Sequence, residues 1–249
     1  MLNLCVYFFQ GSNPSLQVTQ EELLKLEVVQ VVKDRLSDDM RNILEAEFTE
    51  NEVFLAAKNL KPHVVPGPDG MLALFYQQFW SIVGKGVTSF ALKILNGGEN
   101  PSNINYTYIC LIPKKKKLKV PGDFQPISLC NVIFKIITKT IANRLKLILP
   151  DIIEKFQSAF VPGRLITDNA LLPSESFHYM RKKSKGKKGC VALKLHMSKA
   201  YDRIEWNFLI EVLQSMGFFF FLEMAELDFQ LYFHCFFLCF VGWKSLSEV

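Results

Sequence analysis

The sequence predicts an α+β chain that is mostly helical and carries only short strands. Three observations predict it. Apolar residues recur at helical spacing within 19–60, 71–95 and 131–148. Two short β-like runs, 106–112 and 189–196, interrupt them. Segments 61–70 and 160–164 carry proline and glycine and must be loops. The chain has 249 residues, 49% of them hydrophobic, which is enough for one large domain or two small ones and too apolar for a disordered chain.

Residues 1–18 read as an irregular lead-in. The helical pattern of 19–60 breaks around Ser37-Asp38-Asp39. Thr49-Glu50-Asn51-Glu52 fits a capping box, which starts a helix through Leu60. KPHVVPGPDG (61–70) holds three prolines and two glycines, and its Asp69-Gly70 pair suits a turn. Helix returns over 71–95, with Leu74, Phe75, Phe79, Val83, Phe90 and Leu95 as candidate core. Tyr106 to Ile112 is β-like and ends at Pro113. Residues 131–148 form an amphipathic helix whose core face is Val132, Ile136, Ile137, Ile141, Leu145 and Ile148, with Pro150 as its stop. The loop FVPGR (160–164) follows, then a helical stretch disturbed by Pro173. GCVALKLH (189–196) is a short buried strand candidate. Asp202 and Glu205 resemble the N-cap and N3 of a second capping box, opening a helix to Met216 with Gly217 at C′. Beyond Gly217 the chain turns Phe-rich, which marks a boundary.

Composition narrows the function. The net charge of +5 permits nucleic-acid binding without arguing for it. The six cysteines show no CxxC spacing, and His234, Cys235 and Cys239 lack a fourth ligand at a sensible spacing, which argues against zinc. The N-terminus has no basic leader region, so the expectation is an intracellular protein, of nucleus or cytoplasm, without a signal peptide. Residues 229–243 are apolar but number only 15, short of the roughly 20 a membrane-spanning helix needs, and extension upstream brings in Asp228, Glu226 and Glu223. A membrane anchor is therefore the least favoured reading.

Four segments carry chemistry: VPGPDGM (65–71), LIPKKKK through DFQPISLCNVIFKIITKTIANRLK (111–146), QSAFVPGRLITDNALL (157–172) and LKLHMSKAYDRIEWNFL (193–209). In this order they resemble the fingers and early palm of plant LINE-type (non-LTR) retrotransposon reverse transcriptases, over roughly 37–217. The resemblance implies helical fingers over 37–188 after an N-terminal lead-in of 1–36. It further implies a truncated palm at 189–217 and an unrelated tail at 218–249. It implies RNA-directed DNA polymerisation with Mg2+ and deoxynucleotides on an RNA template and a DNA primer, and no small-molecule cofactor. Such chemistry uses two divalent ions held by carboxylates, because magnesium prefers hard oxygen donors.

Several positions match that pattern, and some depart from it. Tyr201 takes the aromatic position under the sugar of the incoming nucleotide, or is an ordinary core aromatic. Arg164 matches the nucleotide-facing side of the fingers, and Gln157 helps place the template. Lys114 opens the run Lys114–Lys117 with Lys119, which either lies near template and nucleotide or is a solvated loop. The second basic run, 181–188, reads as a surface connection. Pro66, Gly67, Asp69 and Gly70 are structural, as is Asp202. Where the family has its metal-binding aspartate this chain has His196, a poor magnesium ligand. Asp202 is six residues on, about 20 Å if extended, and needs a sharp fold-back to replace it. Gln125 stands where the family has arginine, losing a phosphate-matched fork. No Asp-Asp pair follows residue 39. The expectation is a catalytically inactive relic. The alternative is a surviving module that binds nucleic acid non-specifically.

Overall fold

The computed structural model describes residues 30–97, 104–154, 157, 161–165, 167–182 and 205–218. Helices dominate, and the described residues hold one two-stranded sheet, in keeping with the mixed, mostly helical class. They divide into two compact units, one over Ile43–Leu145 and the other over 30–42 with 146–218. No helix among the described residues is long and apolar enough to cross a membrane, and 229–243 lie outside them.

The first unit begins within α1 (Asp38–Glu45), takes its buried Leu44 and continues with α2 (Glu50–Lys58). The capping box forms as expected. Glu52 N–H donates to the Thr49 hydroxyl at 3.3 Å, and Thr49 N–H donates to Glu52 Oε2 at 2.9 Å. Just before it, Phe48 is fixed by a two-way amide pair: Phe48 N–H donates to Asn96 Oδ1 (2.8 Å) and Asn96 Nδ2 donates to Phe48 O (2.9 Å).

The helix expected over 71–95 is two helices, α3 (Ala73–Gln78) and α4 (Trp80–Gly97), broken at Phe79. Its buried face also differs from the expected one. Phe79 is 43% exposed and Leu74, Phe75, Val83 and Phe90 are only half-buried, while Ala73, Tyr76, Val87, Ala91 and Ile94 join Leu95 in the core. The break at Phe79 resets the helical phase, so the two helices do not share one continuous apolar face. At Gly84 a Cβ would lie 2.6 Å from the Trp80 indole nitrogen, so that ring occupies the space a side chain would take.

Two strands follow, β1 (Tyr108–Pro113) and β2 (Phe124–Leu129), paired antiparallel with Leu111 opposite Pro126 and Ile112 opposite Gln125. The sequence pattern gives only the first. Helix α5 (Val132–Ile152) packs its expected face completely: Val132, Ile136, Ile137, Ile141, Leu145 and Ile148 are all buried. Each such side chain contributes about 1.5–3 kcal/mol of burial. The buried hydroxyls of Thr138 and Thr140 donate back to the carbonyls of Lys135 and Ile136.

In the second unit, α5 runs through Pro150 rather than stopping at it. Proline costs a helix its own N–H bond and a ring clash with the carbonyl four residues back; the last carbonyls of any helix, which no following helical N–H reaches, need other donors. Arg164 supplies them for Pro150 and Ile153 and Arg35 for Ile152. Helix α6 (Asp168–Lys182) likewise continues through Pro173 and buries nothing. Helix α7 (Trp206–Met216) has Glu205 as its N-cap, three residues later than the Asp202 box places it, and makes no side-chain cap bond. Asp202 itself lies outside the described residues. Gly217 closes the helix at φ +98° as expected, with Phe218 N–H returning to Leu213 O. The 34–36 segment docks on that end through Asp34 N–H to Ser215 O and Leu36 N–H to Met216 O.

Candidate nucleic-acid interface

The β1–β2 hairpin presents a loop of five lysines, all exposed: Lys114, Lys115, Lys116, Lys117 and Lys119. Its strands are largely exposed as well, with Tyr108, Ile109 and Leu111 open to solvent. Basic side chains beside unstacked aromatic and apolar surface are what a sequence-tolerant nucleic-acid surface requires. The loop is not loose. Lys114 N–H donates to Asp123 O at 2.8 Å, closing the strand ladder, and a 3-10 turn over Pro121–Asp123 returns the chain.

Asp123 lies beneath that turn with 7% exposure. Its Oδ2 accepts the N–H groups of Lys119 (2.8 Å) and Val120 (3.1 Å), and its Oδ1 pairs with Lys115 Nζ at 2.7 Å. The Lys115 contact, reinforced by the two N–H groups and the charge of Lys114, holds its carboxyl below the ordinary carboxylate value against the opposing effect of burial. Nothing in the sequence pattern singles out Asp123 beyond its being the one acid beside a basic run.

Behind the hairpin the PGPDG loop is locked to the start of α5. Gly67 is buried, and a Cβ on it would fall 2.5 Å from Asn131 N and 2.6 Å from Cys130 C. Only glycine permits that approach. Gly70 N–H closes a turn onto Gly67 O (3.0 Å) and Gly70 itself adopts φ +69°. Asp69 Oδ1 accepts Met71 N–H (3.1 Å), while Asp69 N–H donates to Asn131 Oδ1 (3.2 Å). Asn131 Nδ2 in turn reaches Ile104 O at 3.3 Å, so one amide ties the loop to the entry of the hairpin. Pro66 is half-buried in the same loop.

Lys135 is buried beside them and donates to Val65 O at 3.1 Å. Burial pushes its ammonium below the ordinary lysine value, with Cys130 and Asp69 opposing. Burial also pushes the Cys130 thiol up, with Thr107 and Lys135 opposing. Neither Asn131 nor Lys135 carries a periodic signal: Asn131 precedes the helix, and Lys135 is a lone polar residue within its apolar stretch.

The remaining expected site residues fall elsewhere. Gln125 is exposed on β2. Arg164 and Gln157 belong to the second unit and do meet, but through the main chain: Arg164 NH1 donates to the carbonyls of Gln157 (2.5 Å) and Glu154 (2.6 Å), and NH2 to those of Pro150 (3.0 Å) and Ile153 (2.9 Å). Both terminal nitrogens of Arg164 thus serve the end of α5. His196, Tyr201 and Asp202 lie outside the described residues.

Among the described residues no three His, Cys, Asp or Glu side chains converge on a point a metal ion could occupy. Their acids serve other partners: Glu52 meets Arg144, Asp69 a loop amide and Asp123 a lysine. These three carboxylates are engaged within the protein and do not gather around a common point that a divalent ion could take.

Comparison with known proteins gives this surface a context. Residues 112–236 match the family model for reverse transcriptase (RNA-dependent DNA polymerase), from the end of β1 into the Phe-rich stretch. The chain is 32% identical over 183 residues to the transposon TX1 uncharacterized 149 kDa protein of Xenopus laevis, covering 74% of this chain and 14% of that protein. It is 26% identical over 148 residues to the Pol polyprotein of the type-1 retrotransposable element R2 of Nasonia vitripennis, covering 59% of this chain and 14% of that one. It is 28% identical over 156 residues to that of the type-2 element R2DM of Drosophila melanogaster, covering 61% and 14%. The chain thus spans about 14% of the length of the curated relatives it matches.

Proposed function

The chain belongs to the reverse transcriptase (RNA-dependent DNA polymerase) family, as part of such a domain from a non-LTR retrotransposon, and on that premise we propose that it is a nucleic-acid-binding fingers segment. Reverse transcriptases use divalent metal ions, an RNA template and a primer. In this chain the described residues serve the template and primer rather than the metal. The exposed lysine loop, which with β2 lies within the family match while most of β1 precedes it, carries the reading. Its lysines neutralise phosphates without reading bases, so RNA template and DNA primer are both held electrostatically. The close local wording of VPGPDGM and FVPGR supports a plant element as the source.

The same chain does not polymerise DNA by itself. The observation behind this is His196, a neutral imidazole where the family's palm strand carries a metal-binding carboxylate.

Filter binding of the full chain to a primed RNA template, followed across salt concentrations, tests the first part. A linear fall of log affinity with log salt is expected, and absence of binding at low salt overturns it. Primer extension with deoxynucleotides and Mg2+ or Mn2+ tests the second. Any protein- and metal-dependent product from the unaltered chain would show that carboxylates other than residue 196 form a working site.

A further inference from the structure

We propose that Asp123 is a positioning residue for nucleic-acid binding, holding the lysine loop in the shape that meets phosphate. The inference rests on the reading of the hairpin as a nucleic-acid surface and concerns how that surface is built. A carboxylate under a phosphate-binding loop should weaken binding, because it cancels one of the charges that attract the ligand. Its geometry gives the reason for its presence.

The two oxygens divide the work. Oδ2 takes the N–H groups of Lys119 and Val120, which closes the loop's C-terminal side over the 3-10 turn. Oδ1 takes the ammonium of Lys115 at 2.7 Å. Lys114 is drawn the same way, its Nζ 3.5 Å from Gly122 O. Two of the five lysines are therefore turned inward to the loop's own acceptors. Lys116, Lys117 and Lys119 remain exposed, with no side-chain partner among the described residues. A loose loop would lose main-chain freedom on binding, and a closed one meets that cost beforehand. Asp123 thus exchanges one unit of charge for a fixed main chain from which three cations project.

The two accounts of Asp123 predict opposite signs. If charge alone mattered, Asp123→Ala and Asp123→Asn would both tighten RNA binding. If Asp123 positions the loop, Asp123→Ala weakens binding by roughly three- to tenfold despite the more positive chain. Asp123→Asn keeps one oxygen for the two N–H groups and releases only Lys115, so it stays within about threefold of the unaltered chain.

The experiment uses the full chain and labelled oligouridylate RNA, with affinity measured by anisotropy across salt. Lys116→Ala and Lys117→Ala should each lower the salt slope by about 0.7, the value for one phosphate contact on a single strand. Lys115→Ala should leave the slope unchanged. Thermal unfolding of each variant is followed in parallel; Asp123→Ala should unfold at a lower temperature than the unaltered chain, and binding, read well below that temperature where the variant is still folded, should be weaker. Tighter binding by Asp123→Ala, or a slope lowered equally by Lys115→Ala, overturns the inference while the nucleic-acid reading stands. No binding by the unaltered chain overturns both.

Discussion

The guanidinium of Arg144, buried on α5, forms a two-pronged bond with Glu52 at the start of α2, Nε to Oε1 at 3.0 Å and NH2 to Oε2 at 2.9 Å. Glu52 is at the same time the returning acid of the Thr49 capping box. Arg144 also reaches the carbonyls of Leu44, Ala46 and Glu47 and stacks 3.6 Å from the centre of the Phe48 ring. One side chain therefore ties the connection between α1 and α2 to the core helix. Arg144→Met is expected to destabilise the chain by about 2–4 kcal/mol, since it takes their donor from three carbonyls and leaves a partly buried carboxylate with only its Thr49 hydrogen bonds and no counter-charge. Urea unfolding measures this. A loss under about 1 kcal/mol would mean that the pair behaves as an ordinary surface ion pair.

Gly67→Ala should cost about 1–3 kcal/mol, because the new methyl meets main-chain atoms of Cys130 and Asn131 that no side-chain motion can clear. Gly70→Ala is the control. It has open space around it, and only its φ of +69° resists a side chain, at about 1 kcal/mol. Comparable unfolding midpoints for Gly67→Ala and the unaltered chain would refute the close packing of this loop.

The closure around Asp123 should depend on pH with a definite sign. Its carboxyl is held below the ordinary value, so the unfolded chain binds that proton more readily. The contribution is present above the unfolded value near pH 4, and it is lost as pH falls through the lower folded value. The protection factors of the Lys119 and Val120 amides should hold from neutral pH down to about 4 and fall only below it. A fall already at about pH 6 would place the carboxyl on the wrong side of its ordinary value.

Gln125→Arg should restore a phosphate-matched fork on β2. The position is exposed, so stability should hardly change, while the salt dependence of RNA binding steepens by about 0.7 for the added contact. An unchanged slope would mean that residue 125 does not face the ligand.

Legibility varied with the kind of force involved. The buried face of α5, the Thr49 box and the Gly217 cap were readable because each is a local pattern of period or backbone conformation. The face of α3 and α4 was not, since the break at Phe79 resets the helical phase and buries Tyr76, Val87, Ala91 and Ile94 in place of Phe75, Phe79, Val83 and Phe90. Strand β2 was hidden by Pro126, and the ends of α5 and α6 by Pro150 and Pro173, whose effects depend on neighbours far along the chain. Of the binding surface, the lysine run was visible as composition. Its clamp by Asp123 and the Asn131 tie are tertiary and leave no spacing to read.

The two strand prolines carry a last consequence. The bond from Lys114 N–H to Asp123 O sets the phase of the ladder, and by alternation the pairs Pro113–Phe124 and Leu111–Pro126 are the non-hydrogen-bonded ones. Each proline nitrogen therefore points away from the partner strand, one on either rim of the ribbon. No ladder bond is lost, yet each rim lacks a donor that an incoming strand would need. A two-stranded ribbon this apolar is otherwise an inviting template for stray chains. Pro113 and Pro126 make it a poor one, so the ribbon can stay exposed without seeding self-association.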